Sequence, residues 1–525
     1  MTKSLRIQNI IRLCGKHVGE LLQDETVRSF FAGSAPKNLL FCISMLPRKR
    51  LLCQRFATFL LGTCFLAFCP STRAQQATPA PASPNPPATI NTPEFLAAAD
   101  EVVHDMSKIT GWDLKTPLKK SIRSRAEIHA YILHEMDDEK DAKERYASAR
   151  SAEAFGLIPK GFNLDAFLVD LLTEQIAGLY DPKAHEFYIA DWIPVDEQRM
   201  VMSHELTHAL EDQHFNIEPW VKAARPNDDA EMAREAVLEG SAMAAMLDYE
   251  LKDKHLKLED LPDFDPSIFV ADLGASPILQ KAPPFIKDSL MFPYFSGLTF
   301  SVAVLKSGGW RGFTPIFARP PANTQQIIHP DLYFANKVPP PLKLDLPAAV
   351  PGDHWVLLEE NFLGELGWKE VLKQFLDDAR AKSLSAAWDG DVYASFEQKN
   401  SKLLMLFARI RLADASSAAR FFVLYSEALE TKYPDRSRAV WGKDYFAFET
   451  PDSSVFFRCS ATECISLEGG DAALFQQWLA KLNWPPTPEI APHQPAPGIT
   501  TTQSPESPQF RAAALSRGVT AFCLP

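Results

Sequence analysis

The chain has 525 residues, 46% of them apolar and 23% charged, a composition that suits a globular protein of two or three domains. Its formal net charge is −12 and its pI about 5.6. That acidic balance speaks against a nucleic-acid binder, because neutralising phosphates needs clustered Lys and Arg.

The N-terminal region reads as a targeting segment. Arg48, Lys49, Arg50 and Arg55 are followed by the apolar run Phe56 to Cys69, and Thr72-Arg73-Ala74 offers a cleavage site before Gln75. This is the three-part pattern of a secretory signal, with a core too short to span a bilayer comfortably. Met45 stands just ahead of the basic cluster, so residues 45–74 are expected to be the signal peptide and 1–44 an over-called start. An uncleaved signal anchor is the alternative, and either way membrane contact is confined to this segment. A lipoprotein reading through Cys69 is weaker, because bulky Phe68 stands where a small residue is wanted. Of the 8 cysteines, Cys14, Cys42, Cys53, Cys64 and Cys69 lie in or before this leader. Cys459, Cys464 and Cys523 remain, and the first two flank Ser-Ala-Thr-Glu between β-like runs. They are either a hairpin disulfide of an oxidising compartment or two unrelated thiols.

Residues 75–92 form a Pro/Ala-rich linker, and 485–525, rich in Pro, Thr, Ser and Gln, a disordered tail. Between them the fold class expected is α+β: a mainly helical domain over 93–350, then a small α+β domain over 351–484. In the first domain helices are expected at Pro93–Met106, Arg125 to about Ala149, and Leu164–Ile176. A β-hairpin is expected next over Gly178–Ala190, turning at Asp181-Pro182 with Phe187–Ala190 as its second strand. Asp196 to Leu210 then reads as a helix with acidic residues in its first turn, and Asp228–Leu251 as a second long helix. Pro-rich loops occupy 315–350. The second domain alternates strands (403–410, 454–457) with helices (414–429, 471–482) and carries no catalytic constellation. No internal repeat and no Gly-rich phosphate loop is present.

The most informative stretch is His204-Glu205-Leu206-Thr207-His208. On a helix, residues four apart stand one turn above each other, so both imidazoles can reach one ion. Zinc suits this pair, since it takes neutral imidazole and leaves one tetrahedral position open. Glu205 lies beside that position, where it can take a proton from a water. The plainer alternative is two solvated or core histidines on an ordinary helix.

A catalytic zinc needs a third ligand. His214 stands at the spacing of His-Glu-x-x-His-x-x-Gly-x-x-His, but Glu211 occupies the Gly position and resists the positive φ required. Glu239 in Ala236-Val237-Leu238-Glu239-Gly240-Ser241-Ala242 is the favoured candidate. Small residues there allow close helix approach, and a carboxylate among Ala, Val and Leu is costly to bury unless coordinated. Glu235 shares that face. Glu235 or Asp212 otherwise orients a histidine. His329 and Tyr294 are candidate oxyanion donors.

The stretches Phe155-Gly156-Leu157-Ile158-Pro159, Glu174 through Pro182, His204 through Phe215, Leu238-Glu239-Gly240 and Pro320 through Pro330 carry a resemblance. A fainter echo lies at Ala387-Trp388-Asp389-Gly390-Asp391. The chain resembles a little-characterised family of exported bacterial zinc-metallopeptidase-like proteins of the gluzincin type. The resemblance implies a zincin-like peptidase domain with His204, His208 and Glu239 as metal ligands. One departure is Ser241, where the family pattern has an Asp that orients a ligand.

The expected function is zinc-dependent hydrolysis of peptide bonds in an exported protein, with Glu205 as the proton carrier and a peptide or protein as substrate. The strand Glu186–Ala190 is expected to pair with an extended substrate backbone. Two rivals are a zinc amidohydrolase acting on cell-wall material and a non-catalytic zinc-binding envelope protein. A structural site normally closes its fourth position with Cys or His, and no Cys lies between residues 70 and 458.

Overall fold

The computed structural model describes residues 92–487, apart from 137–138, 176–177, 193–194, 263–276, 348–349 and 351–353. The leader, most of the linker and nearly all of the tail lie outside these residues. The described chain is α+β. Its helical part runs α1 (Thr92–Thr110), β1 (Lys119–Arg123), α2 (Arg125–Met136), α3 (Glu139–Phe155), α4 (Leu164–Gln175), β2 (Gly178–Asp181), β3 (Glu186–Ala190), α5 (Val195–Phe215), α6 (Ile217–Lys222), α7 (Asp228–Leu251), α8 (Pro284–Gly308) and α9 (Thr324–Ile328). The part rich in strands runs β4 (Trp355–Asn361), α10 (Gly364–Lys373), β5 (Trp388–Gln398), β6 (Leu404–Leu412), α11 (Ala415–Lys432), β7 (Ser437–Trp441), β8 (Tyr445–Glu449), β9 (Ser454–Ser460), β10 (Glu463–Gly470) and α12 (Ala472–Lys481).

Several elements depart from expectation. The helix expected from Arg125 to Ala149 is covered by α2 and α3, on either side of residues 137–138, which lie outside the described residues. The charged strand β1 pairs parallel to β3, with Ser121 opposite Tyr188. Nothing in Lys-Lys-Ser-Ile-Arg signals a strand, because its order comes from its partner. Helix α8 is hidden in the sequence by Pro283, Pro284 and Pro293. Pro284 opens the helix, where a missing N–H costs nothing, while Pro293 sits inside it. By length and hydropathy α8 could cross a membrane, but Phe292, Tyr294, Leu298, Phe300 and Val304 are buried in the protein core.

Helix α7 is the central beam. Asn227 caps it by accepting the Ala230 N–H, acidic residues fill its first turn, and from Ala236 to Tyr249 every residue is buried. Its contact with α8 is backbone to backbone. A Cβ added at Gly240 would meet the Gly297 carbonyl at 2.1 Å, and one added at Gly297 would meet the Ala236 carbonyl oxygen at 2.2 Å. The small residues beside Glu239 therefore admit α8, and this seats Tyr294, one turn before Gly297, beside the same stretch of α7. Gly297→Ala is expected to destabilise by about 3 kcal/mol, the upper range for overpacking, because backbone cannot yield as a flexible side chain can. Chemical denaturation checks this.

The second sheet is antiparallel, ordered β4-β5-β6-β10-β9-β8-β7. Both faces are covered. Leu406, Ala408 and Phe457 join Phe421, Phe422 and Tyr425 of α11 on one side. Phe407 and Phe456 meet Trp478 and Phe475 of α12 on the other. Double burial explains why these strands read as unbroken apolar runs. Cys459 and Cys464 stand directly opposite across β9 and β10 and form a disulfide.

Three of the stretches that carry the family resemblance lie where the helical part meets this sheet. Phe155 and Leu157 join the second core, beside Trp368 and Tyr393. Asp229 accepts the Thr324 N–H at 3.1 Å and its hydroxyl at 2.5 Å. Asp391 accepts the N–H groups of Leu363, Gly364 and the Trp388 indole. These residues build the junction rather than the site.

Candidate metal centre

His204, Glu205 and His208 lie on α5 and are at most 1% exposed. Glu239 reaches them from α7 and is 4% exposed. The Nε2 atoms of the two histidines stand 3.2 Å apart. Glu239 Oε2 lies 3.1 Å from His204 Nε2 and 3.6 Å from His208 Nε2. Donors held about 2.0–2.2 Å from a tetrahedral ion lie about 3.3–3.5 Å from one another, so the three spacings fit a shared ion. Two imidazole nitrogens and a carboxylate oxygen, turned inward and shut away from solvent, are a donor set that could hold a metal ion. Burial by itself raises the Glu239 pKa. The adjoining imidazoles of His208 and His204 outweigh it and hold the carboxyl well below its usual range.

Two further residues orient His208. Its Nδ1 donates to Glu211 Oε2 at 2.9 Å, which leaves Nε2 facing the centre. The other oxygen of Glu211 accepts the Ser241 hydroxyl. Ser241, the departure from the family pattern, thus holds a carboxylate that α5 itself supplies. Glu211→Gln should weaken metal binding about 10–100-fold while the protein stays folded, as measured by competition with a chelator.

The β2–β3 hairpin holds Glu205 and the end of α5. The Tyr180 N–H donates to Glu205 Oε2 at 2.9 Å, and the Tyr180 hydroxyl donates to Asp212 Oδ2 at 2.8 Å. One residue is therefore tied to the helix at both ends. Gly178 lets the strand come this close, since a Cβ there would meet Val201 Cγ1 at 2.8 Å. Asp181 shapes the turn by accepting the N–H groups of Lys183 and Ala184.

Other expected site residues fall differently. His214 Nε2 meets the Asp113 carbonyl oxygen at 2.8 Å, and α5 continues unbroken through Glu211 to Phe215, so this histidine is not at the centre. Asp212 serves Tyr180 and His185 rather than a metal-binding histidine. Glu235 contacts neither histidine. It lines a cavity, where burial pushes its carboxyl up to about 8. Tyr294 comes to the site and its ring stacks near His204, with centroids 6.2 Å apart. His329 does not. Its Nε2 lies 3.0 Å from Glu365 on α10, and that bond holds its pKa above the ordinary value. A Pro-bounded loop placed it at the junction with the sheet, and sequence offered no sign of Glu365. Strand β3 cannot receive a substrate backbone, because β1 and β2 occupy both its edges. The edge beside the centre is β2.

Tyr180 and Glu211 were not foreseen as site residues. Glu211 had a local signal, standing one turn after His208 on the same helix. Tyr180 had none beyond its place in Gly-Leu-Tyr-Asp-Pro.

A cavity of about 280 Å³ opens at the centre, walled by His208, Glu239, Tyr294, Tyr180 and Leu238 and otherwise largely apolar. Its size is that of a small ligand site. Comparison with protein-family models, curated proteins and solved structures finds no match for this chain.

Proposed function

We propose that the chain is an exported zinc-dependent peptidase with a zincin-like catalytic domain. The observation that carries this reading is the meeting of His204, His208 and Glu239 within 3.1–3.6 Å on two helices, with Glu205 on the same helix as the histidines. Zinc in that donor set supplies a Lewis acid that makes water a nucleophile near neutral pH and polarises a carbonyl. Glu205 accepts the proton of the attacking water, the carbonyl–nitrogen bond breaks, and Glu205 returns the proton to the leaving amine. Tyr294 offers a hydroxyl to the developing oxyanion. Leu179, Tyr180 and Asp181 of edge strand β2 line the cavity, so an extended substrate backbone can add to β2 beside Glu205.

A closed structural site fits less well, since the cluster has only these three donors among the described residues and adjoins a cavity. The Cys459–Cys464 disulfide supports an oxidising compartment, in keeping with the signal-like leader. Purified protein is expected to cleave denatured casein, to stop when a zinc chelator is added and to resume when zinc is restored. Cleavage of peptidoglycan alone would make it a cell-wall amidohydrolase. Failure on both would remove the hydrolase reading.

A further inference from the structure

The cavity at the metal centre has acidic groups on its wall, and all but one find a partner among the described residues. Glu135 pairs with Lys183 at 3.0 Å, Glu218 with Lys222 at 2.6 Å, and Asp141 with Arg225 at 3.7 Å. Asp181 accepts two backbone N–H groups of its own turn. Glu239 faces the two histidines. Glu235 makes no hydrogen bond or ion pair among the described residues. Arg225, whose charge reaches it, is already held by Glu231 at 3.0 Å and Glu144 at 2.9 Å. A carboxyl in an apolar wall without a partner holds its proton, and a cation brought beside it would draw it into the carboxylate form.

Position gives that ligand its chemistry. Glu235 precedes Glu239 by one turn of α7, so the two side chains leave the helix about 5–6 Å apart along the cavity wall. Met232, Leu238, Leu290 and Pro293 line the same cavity and offer no competing donor. We propose that Glu235 is a specificity residue that binds a cationic nitrogen of the substrate, either the free N-terminal amine or a basic side chain near the scissile bond. The inference rests on the peptidase reading of this cavity and names the substrate class: peptides with a positive charge close to the bond that is cut. Glu235 does not join the proton transfers. It holds the substrate in register against the centre, and the ammonium–carboxylate pair supplies a partner that the described residues do not.

The test separates this inference from the peptidase reading by measuring binding without turnover. The full chain carrying Glu205→Gln, loaded with zinc, is titrated calorimetrically with three kinds of peptide of equal length. One has a free amine and neutral side chains. The second is N-acetylated and carries a single lysine placed in turn at each position. The third is N-acetylated with norleucine in place of lysine. The first or the second is expected to bind at least about tenfold more tightly than the third, as a charge-assisted hydrogen bond implies. Whichever does so identifies the source of the charge. In the Glu205→Gln/Glu235→Gln double variant the preference should vanish while zinc content stays the same. Equal binding of all three peptides, no binding of any, or a preference that survives the loss of Glu235 overturns the inference. Charge-selective binding by a protein whose wild type cleaves nothing would remove the peptidase reading and leave the cation site. Cleavage without charge selectivity would do the reverse.

Discussion

Replacing Glu205 by Gln is expected to lower casein hydrolysis by about 10²–10⁴-fold with metal content unchanged. The substitution is nearly isosteric. The amide oxygen of Gln can still accept the Tyr180 N–H that now meets Glu205 Oε2 at 2.9 Å, so the hairpin keeps its seat on α5. What Gln cannot do is take a proton from water and give it to an amine. The loss should therefore fall on kcat, with KM little altered. Metal analysis beside steady-state kinetics checks both parts. A structural metal site predicts the opposite pattern, with metal and function both retained, and that outcome would sink the catalytic assignment of Glu205.

Removing Glu239 should act on the metal itself. Glu239→Ala takes away the one oxygen donor and leaves His204 and His208 as a two-nitrogen site. Affinity should drop by more than the 10–100-fold that the loss of an outer hydrogen-bond partner costs. Alanine keeps the helix, and the Gly240–Gly297 contact next to it is backbone to backbone, so α7 and α8 should stay together. The cleanest readout is thermal. Zinc at about 100 times its dissociation constant stabilises the folded wild type by about 2.7 kcal/mol, and its Tm should rise accordingly. The Glu239→Ala protein should show almost no such rise. A zinc-dependent shift equal to wild type would mean that Glu239 is not a ligand.

How far the site could be read from sequence differs from residue to residue. Helical spacing alone puts His204 and His208 on one face. The acidic residue among Ala, Val and Leu at 239 stood out because burial without a partner is costly. Glu211 signalled only an obstacle to a chain reversal after His208. That was right about the backbone but missed that the same side chain can turn back one turn to hold the imidazole. His329 misled because a polar loop residue carries no record of what lies opposite it, and Glu365 comes from the other side of the junction. The strand Glu186–Ala190 misled for a related reason. Its pattern shows that it is a strand, but whether a strand is central or an edge depends on its neighbours, and β1 arrives from a charged pentapeptide without strand character.

Sequence by itself determined the features set by short-range geometry: the two imidazoles one turn apart, Glu205 between them, the long helix after residue 228 and the hairpin before the motif. These need only the helical and strand periods, which depend on the chain's own backbone. Tertiary structure alone decided which acid meets the histidines. Glu235 and Glu239 share one face of α7 and differ mainly in height along it, so periodicity cannot choose between them. The choice comes from how far α7 is shifted along its neighbours, and its backbone contact with α8 at Gly240 and Gly297 is part of that placement. One turn of shift sends Glu239 to the metal centre and leaves Glu235 facing the cavity.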